Sequence, residues 1–163
     1  MNYSRILING VIVYIIIAIF FVIMELLNLS DQIYLRLINF IPVIWGINRT
    51  IKANVKDHVD GYFTNLVSGI LTGVTALALV LISFIIYVEI RGEHAYLRRF
   101  ADSYIFGGGD PSVYQFAIGL ALEGIASSVI VSFALMQYWK DKVEKINKVD
   151  DTVHTTSTRD NNY

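Results

Sequence analysis

The chain contains no cysteine, which excludes disulfides, thiolate metal sites and palmitoylated thiols and leaves the redox compartment without a marker. Histidine is scarce. His58, His94 and His154 are the whole set, and all three fall outside the apolar runs. An intramembrane haem needs axial ligands such as His inside the bundle, so no haem, metal or other cofactor is assigned. Also missing are an H-E-x-x-H segment, a Ser-His-Asp candidate set and paired intramembrane aspartates, which argues against a membrane protease. No catalytic residue is nominated, and the chain is read as a non-enzyme. The net charge of -1 points to no partner, because the charges sit almost wholly between the apolar runs and in the tail. Nothing suggests nucleic acid.

Apolar residues are what the chain has in abundance: 55% of 163. They are gathered into runs that match the roughly 20 residues needed to cross a hydrocarbon core, which places the chain in the membrane class, with the lipid bilayer as its first partner. The predicted fold is all-α, a four-helix transmembrane bundle with spans at about 6–27, 33–51, 62–90 and 113–139. Residues 1–149 form one domain, and the polar segment 150–163 reads as a disordered tail.

Ser4 is the expected N-cap of the first span. That run is longer than the roughly 7 to 15 apolar residues of a signal peptide and lacks a small-residue cleavage site, so it reads as a retained helix. The second span holds Arg36, Asn39, Pro42 and Asn48. Arg36, Asn39, Val43 and Gly46 share a face, so the polar side can turn inward, and neighbouring helices can satisfy the carbonyl that Pro42 frees. A re-entrant segment is the alternative.

In the third span Asn65, Gly69, Thr72, Ala76 and Ser83 form a stripe, and Gly69-Ile-Leu-Thr-Gly73 is a G-x-x-x-G. The motif supports close helix packing; packing within the chain is preferred over a homodimer. Between Arg91 and Ser112, Tyr96, Phe100 and Tyr104 recur every four residues among Arg98, Arg99 and Asp102. This pattern predicts a short helix lying in the membrane interface. Gly107-Gly108-Gly109 then reads as a hinge, since it lacks the Lys-Ser/Thr of a phosphate loop. Asp110 and Pro111 are the expected N-cap and first helical residue of the fourth span.

The fourth span carries the costly group. At about 100° per residue, Ile118, Leu122, Ile125, Val129, Phe133 and Met136 form one bulky arc, expected to face lipid. Gly124, Ser128 and Ser132 recur every four residues on the other side, a small-residue row suited to close packing. Glu123 lies off the lipid arc. A charged side chain near a helix centre costs roughly 2.5–3.5 kcal/mol on insertion scales, so such residues face the bundle and find partners. Hydrocarbon favours the neutral acid, donating a hydrogen bond, over the carboxylate. Two roles fit: a proton relay or substrate contact, or a protonated acid joining helices.

Basic residues collect on the cytoplasmic side of membrane proteins. Arg5, then Arg49, Lys52 and Lys56, then Lys140, Lys142, Lys145, Lys148 and Arg159 fall on one side of the predicted topology; Arg91, Arg98 and Arg99 fall on the other. Both termini are therefore expected in the cytoplasm, in a bacterial inner membrane. Trp45 and Trp139 would mark the inner interface, and Tyr34, Tyr87 and Tyr114 the outer one. Glu25 and Arg36 then share a depth near the outer boundary, which predicts an ion pair. Glu123 lies roughly 13 Å below that boundary at 1.5 Å per residue, with Asn39 above and Tyr14 below as its expected polar neighbours.

Asp60-Gly-Tyr-Phe-Thr-Asn-Leu-Val-Ser-Gly-Ile-Leu-Thr-Gly73 and Leu122-Glu-Gly-Ile-Ala-Ser-Ser-Val-Ile-Val-Ser-Phe-Ala-Leu-Met-Gln137 resemble stretches of small four-span membrane proteins common in Bacteroidota. The resemblance covers most of the chain except the tail. It implies a four-helix inner-membrane protein and supplies no activity, ligand or catalytic residue.

Two functions are carried forward. The first is non-enzymatic association, as a homo-oligomer or as an accessory subunit of a membrane-protein partner, motivated by the small-residue faces of the third and fourth spans. The second is a small proton-coupled transporter with Glu123 as the titrating group. In outline that resembles the small multidrug exporters, from which this chain departs in holding its acid in the last helix and in having a long outer loop.

Overall fold

Helix ends follow from local chemistry, and the computed structural model places several of them differently from the sequence reading. It describes residues 1–29, 33–92, 97 and 112–143, without the side chains of Ile33 and Arg36. These residues form α1 (Tyr3–Leu26), a 3-10 helix (Ile33–Asn39), α2 (Phe40–Lys56), α3 (Tyr62–Arg91) and α4 (Val113–Val143), with no strand among them. Three helices, α1, α3 and α4, are long and apolar enough to cross a membrane. The predicted interfacial helix, the glycine hinge and the tail lie outside the described residues, Leu97 excepted; it is helical and buried.

Asn2, not Ser4, caps α1. Its extended backbone lets the short side chain accept from the Arg5 amide at 3.2 Å, whereas Ser4 is already inside the first turn. At α4 the cap is Ser112. Its hydroxyl accepts from the Gln115 amide at 3.3 Å, and the Gln115 side chain accepts from the Ser112 amide at 3.0 Å. This is a capping box, legible in S-x-x-Q. The described helix opens at Val113, and the expected cap Asp110 and first residue Pro111 lie outside the described residues. The second span is not one helix. Pro42 cannot donate to the carbonyl four residues back, and its ring crowds that carbonyl. The α-helix accordingly begins at Phe40, after a tighter 3-10 stretch.

α3 is the axis of the bundle. It packs against α1, α2 and α4, and α2 also packs between α1 and α4, which share no comparable interface with each other. Arg5 pairs with Asp57 and donates to Asn54 Oδ1 at 2.8 Å, and the Gly61 amide donates to the Val143 carbonyl at 3.4 Å. The starts of α1 and α3 and the ends of α2 and α4 therefore meet at one end, the base.

In the base half several buried polar groups are paired across helices. Asn9 Nδ2 donates to Thr50 Oγ1 at 2.8 Å, Thr50 meets Thr72 Oγ1 at 3.0 Å, and Thr72 donates to the Ser68 carbonyl at 2.8 Å. A hydroxyl has one proton. Thr50 also donates to the Gly46 carbonyl at 3.1 Å, so its one proton lies between that carbonyl and Thr72, and the polar contacts run from α1 through α2 to α3. Beside this chain lies an apolar cluster of Ile47, Ile51, Leu66, Val131, Met136 and Trp139.

Met136 corrects the wheel: it is fully buried, while Ile118, Leu122, Ile125 and Phe133 are exposed as expected. One arc along a straight helix assumes one partner throughout. α4 meets α2 only near the base, so its buried side turns toward Met136 and Trp139 there, and exposure passes to Ile130 and Tyr138.

The α3–α4 seam depends on small residues. A Cβ on Gly69 would lie 3.0 Å from Ser132 Oγ, and one on Gly73 would overlap Ser128 Oγ and lie 2.8 Å from its Cβ. The G-x-x-x-G thus packs within the chain. Gly73→Ala should lower thermal stability in mild detergent by the equivalent of about 1–3 kcal/mol of overpacking. Adding Ser128→Gly, which removes the clashing atoms, should restore most of it. Additive losses would contradict the contact.

Candidate functional site

Because α2 starts only at Phe40, no α-helix among the described residues fills the space between α1 and α4 toward the far end of the bundle. A cavity of about 560 Å³ occupies it, within the size range of small-molecule sites. Asn39, Phe40 and Val43 contribute from the start of α2, and α1, α3 and α4 form the walls.

Aromatic contacts hold those walls to α3. Phe84 and Phe116 stack with centroids 5.4 Å apart and planes 28° apart, joining α3 to α4. Phe21 meets Tyr87 edge-on at 5.4 Å, joining α1 to α3. Deeper in, the Tyr14 hydroxyl and Ser83 Oγ share a hydrogen bond of 2.7 Å across the α1–α3 contact. A buried tyrosine hydroxyl needs such a partner.

Glu123 lies about 15 Å along α4 from Val113 at 1.5 Å per residue. It is an exposed side chain on the cavity lining. Asn39 and Tyr14 line the same cavity, although the Tyr14 hydroxyl is bonded to Ser83. The Asn39 side-chain oxygen is buried, and the described residues give it no hydrogen-bond partner. Gly73, Gly124 and Ser128 line the cavity at the top of the α3–α4 seam, where the Ser128 hydroxyl turns back to the Gly124 carbonyl at 2.8 Å. Gly69 and Ser132 are not among the lining residues and belong to the seam alone. Glu25 lines the cavity too; its predicted ion pair with Arg36 involves a side chain outside the described residues.

Sequence reasoning passed over Arg91, Ser127, Phe84 and Phe116, all of which line the cavity. The Arg91 guanidinium lies 5.4 Å from the Tyr87 ring centroid. Concavity has no sequence signal, since it arises from the late start of α2 between two helices that share no extensive interface. Chemically, the lining offers carboxyl groups, hydroxyls, one guanidinium and several aromatic faces. Among the described residues no three His, Cys, Asp or Glu side chains come together as a metal site would need.

Fold and cavity together define a class: an all-helical protein with three helices of membrane-crossing length and an aromatic-lined cavity that holds Glu123. Compared with protein families, curated proteins and solved structures, the chain matches none. The resemblance to four-span proteins therefore rests on the two quoted stretches alone.

Tyr14→Phe should cost about 0.6–1.7 kcal/mol, the range for interhelical hydrogen bonds in membrane proteins. Ser83→Ala should cost a similar amount, and the double variant little more than either. Melting temperatures in one detergent would measure the cycle; independent, additive effects would rule the bond out.

Proposed function

We propose that the protein is a four-span integral membrane protein with both termini in the cytoplasm, acting by binding and not by catalysis, with the cavity as its working centre. The cavity is the observation that carries this reading, since Glu123, Asn39 and Tyr14 all line it. Crossing by the second segment is supported by length. The 17 residues of α2 reach about 25 Å, and the seven of the 3-10 helix extend that beyond the roughly 30 Å of a hydrocarbon core. Tyr34, Leu37 and Ile41 present exposed apolar surface along this composite segment, as lipid contact requires. The base carries Arg5, Lys52, Lys56, Lys140 and Lys142, which suits the cytoplasmic side of an inner membrane.

Association with a second copy or a larger membrane complex has less support, because Gly69, Gly73, Ser128 and Ser132 are already packed against one another inside the chain. A second reading is favoured by one placement. Glu123 on the cavity lining suits proton-coupled transport, with its carboxyl as the titrating group.

The cysteine-free background makes topology directly testable. Leu29→Cys and Ser112→Cys should react with a membrane-impermeant maleimide on intact inverted-free spheroplasts, and His58→Cys only after permeabilisation. External labelling of His58→Cys would remove the second crossing. For transport, Glu123→Gln keeps shape and hydrogen bonding but cannot cycle a proton. It should abolish proton-driven flux in proteoliposomes, and unchanged flux would exclude Glu123 from that role.

A further inference from the structure

We infer that the protein holds an anionic phospholipid at its base, with the phosphate seated between the Arg5 and Arg49 guanidiniums and the acyl chains running down the α1–α2 seam. The site stands apart from the cavity and shares with that reading only the crossing of a bilayer. A second pocket, of about 320 Å³, opens on this seam. Arg5, Ile8 and Asn9 line it from α1, and Arg49 and Ala53 from α2; no described carboxylate lines it.

Charge is the first reason. Arg5 is already engaged: it pairs with Asp57 and donates to Asn54 Oδ1 at 2.8 Å. Those contacts offset its charge and fix its position, and a guanidinium with five N–H donors has others to offer. Arg49 supplies the surplus. Its guanidinium lies 5.2 Å from the Trp45 ring centroid, a contact that steers the group without neutralising it. Among the described residues Arg49 makes no ion pair. One surplus positive charge matches a phosphodiester, which is singly negative, and guanidiniums meet phosphate oxygens in paired, charge-assisted hydrogen bonds. A zwitterionic lipid would bring an ammonium for which the pocket lining holds no carboxylate.

Depth is the second reason, and it favours a lipid over free phosphate. Arg49 precedes Asn54 by five residues, which sets it about 8 Å further from the base end of α2 at 1.5 Å per residue. The pocket therefore descends from the helix ends toward hydrocarbon. Below Arg49, at four-residue steps on the same face of α2, stand Trp45 and Ile41; below Ile8, on one face of α1, stands Ile15. All four are exposed. Tryptophan favours the headgroup level, and basic pockets between membrane helices take anionic headgroups. Free phosphate would gain nothing from the apolar strip beneath.

The test uses the full chain in phosphatidylcholine nanodiscs doped with phosphatidylglycerol whose acyl chain carries bromine, a contact quencher of tryptophan. Brominated phosphatidylcholine at the same fraction is the control. Phosphatidylglycerol should be preferred by about fivefold, the size of one basic residue's attraction to anionic lipid. Arg49→Gln should erase the preference, and Ala53→Glu, which adds a carboxylate to the pocket wall, should reverse it. Lys140→Gln, at the base but outside the pocket, should leave it unchanged, as should inorganic phosphate at constant ionic strength. Equal quenching by both lipids, a difference that survives Trp45→Phe, or equal losses with Lys140→Gln and Arg49→Gln would overturn the site and leave the crossing of the bilayer standing. A preference abolished by phosphate would assign the pocket to a free anion and overturn the lipid. Protein that stays in solution once detergent is removed without lipid would overturn the crossing, and the site with it.

Discussion

The close approach of α3 to α4 is the constraint on which the remaining geometry depends. Lipid tails are as apolar as leucine, so no hydrophobic effect draws helices together inside a bilayer, and contact must come from packing and hydrogen bonds. Gly69 and Gly73 present almost no side chain where Ser132 and Ser128 arrive. The serines are small enough to fit, and Ser128 satisfies its hydroxyl on its own helix. With α4 drawn onto one side of α3 and α1 onto another, the flanking helices share no extensive interface.

What lies between α1 and α4 then differs from one half of the bundle to the other. Near the base, α2 fills the wedge, and Ile47 and Ile51 complete a core with Met136 and Trp139. Its polar side chains are joined to α1 and α3 through Thr50 and to α4 through Asn48, whose side chain accepts from the Trp139 indole at 2.8 Å. Toward the far end the α-helical wedge stops at Phe40, and the cavity begins. A single local event, the inability of Pro42 to continue the hydrogen-bond ladder, separates the packed half from the hollow one.

The two halves are held together differently. In the base, Asn9, Thr50 and Thr72 join three helices through buried hydrogen bonds, which a low-dielectric interior strengthens. The far half has aromatic contacts and the Tyr14–Ser83 bond between its walls.

Much of this was legible in the residues themselves. Long apolar runs specify helices without reference to their surroundings, because a chain in hydrocarbon must satisfy its backbone internally; hence α1, α3 and α4 lie close to the expected positions. The Gly69–Gly73 and Ser128–Ser132 rows announced close packing because helical period places them on one face. The capping box at Ser112 is written in the S-x-x-Q of residues 112–115. Three features belonged to tertiary structure alone. Met136 is buried because α4 changes partner along its length, a fact no single helical wheel contains. The polar contacts from Asn9 to Thr72 depend on three helices meeting at one level. The cavity whose lining includes Glu123, Asn39 and Tyr14 exists because α1 and α4 share no extensive interface, and a missing interface leaves no trace in local sequence.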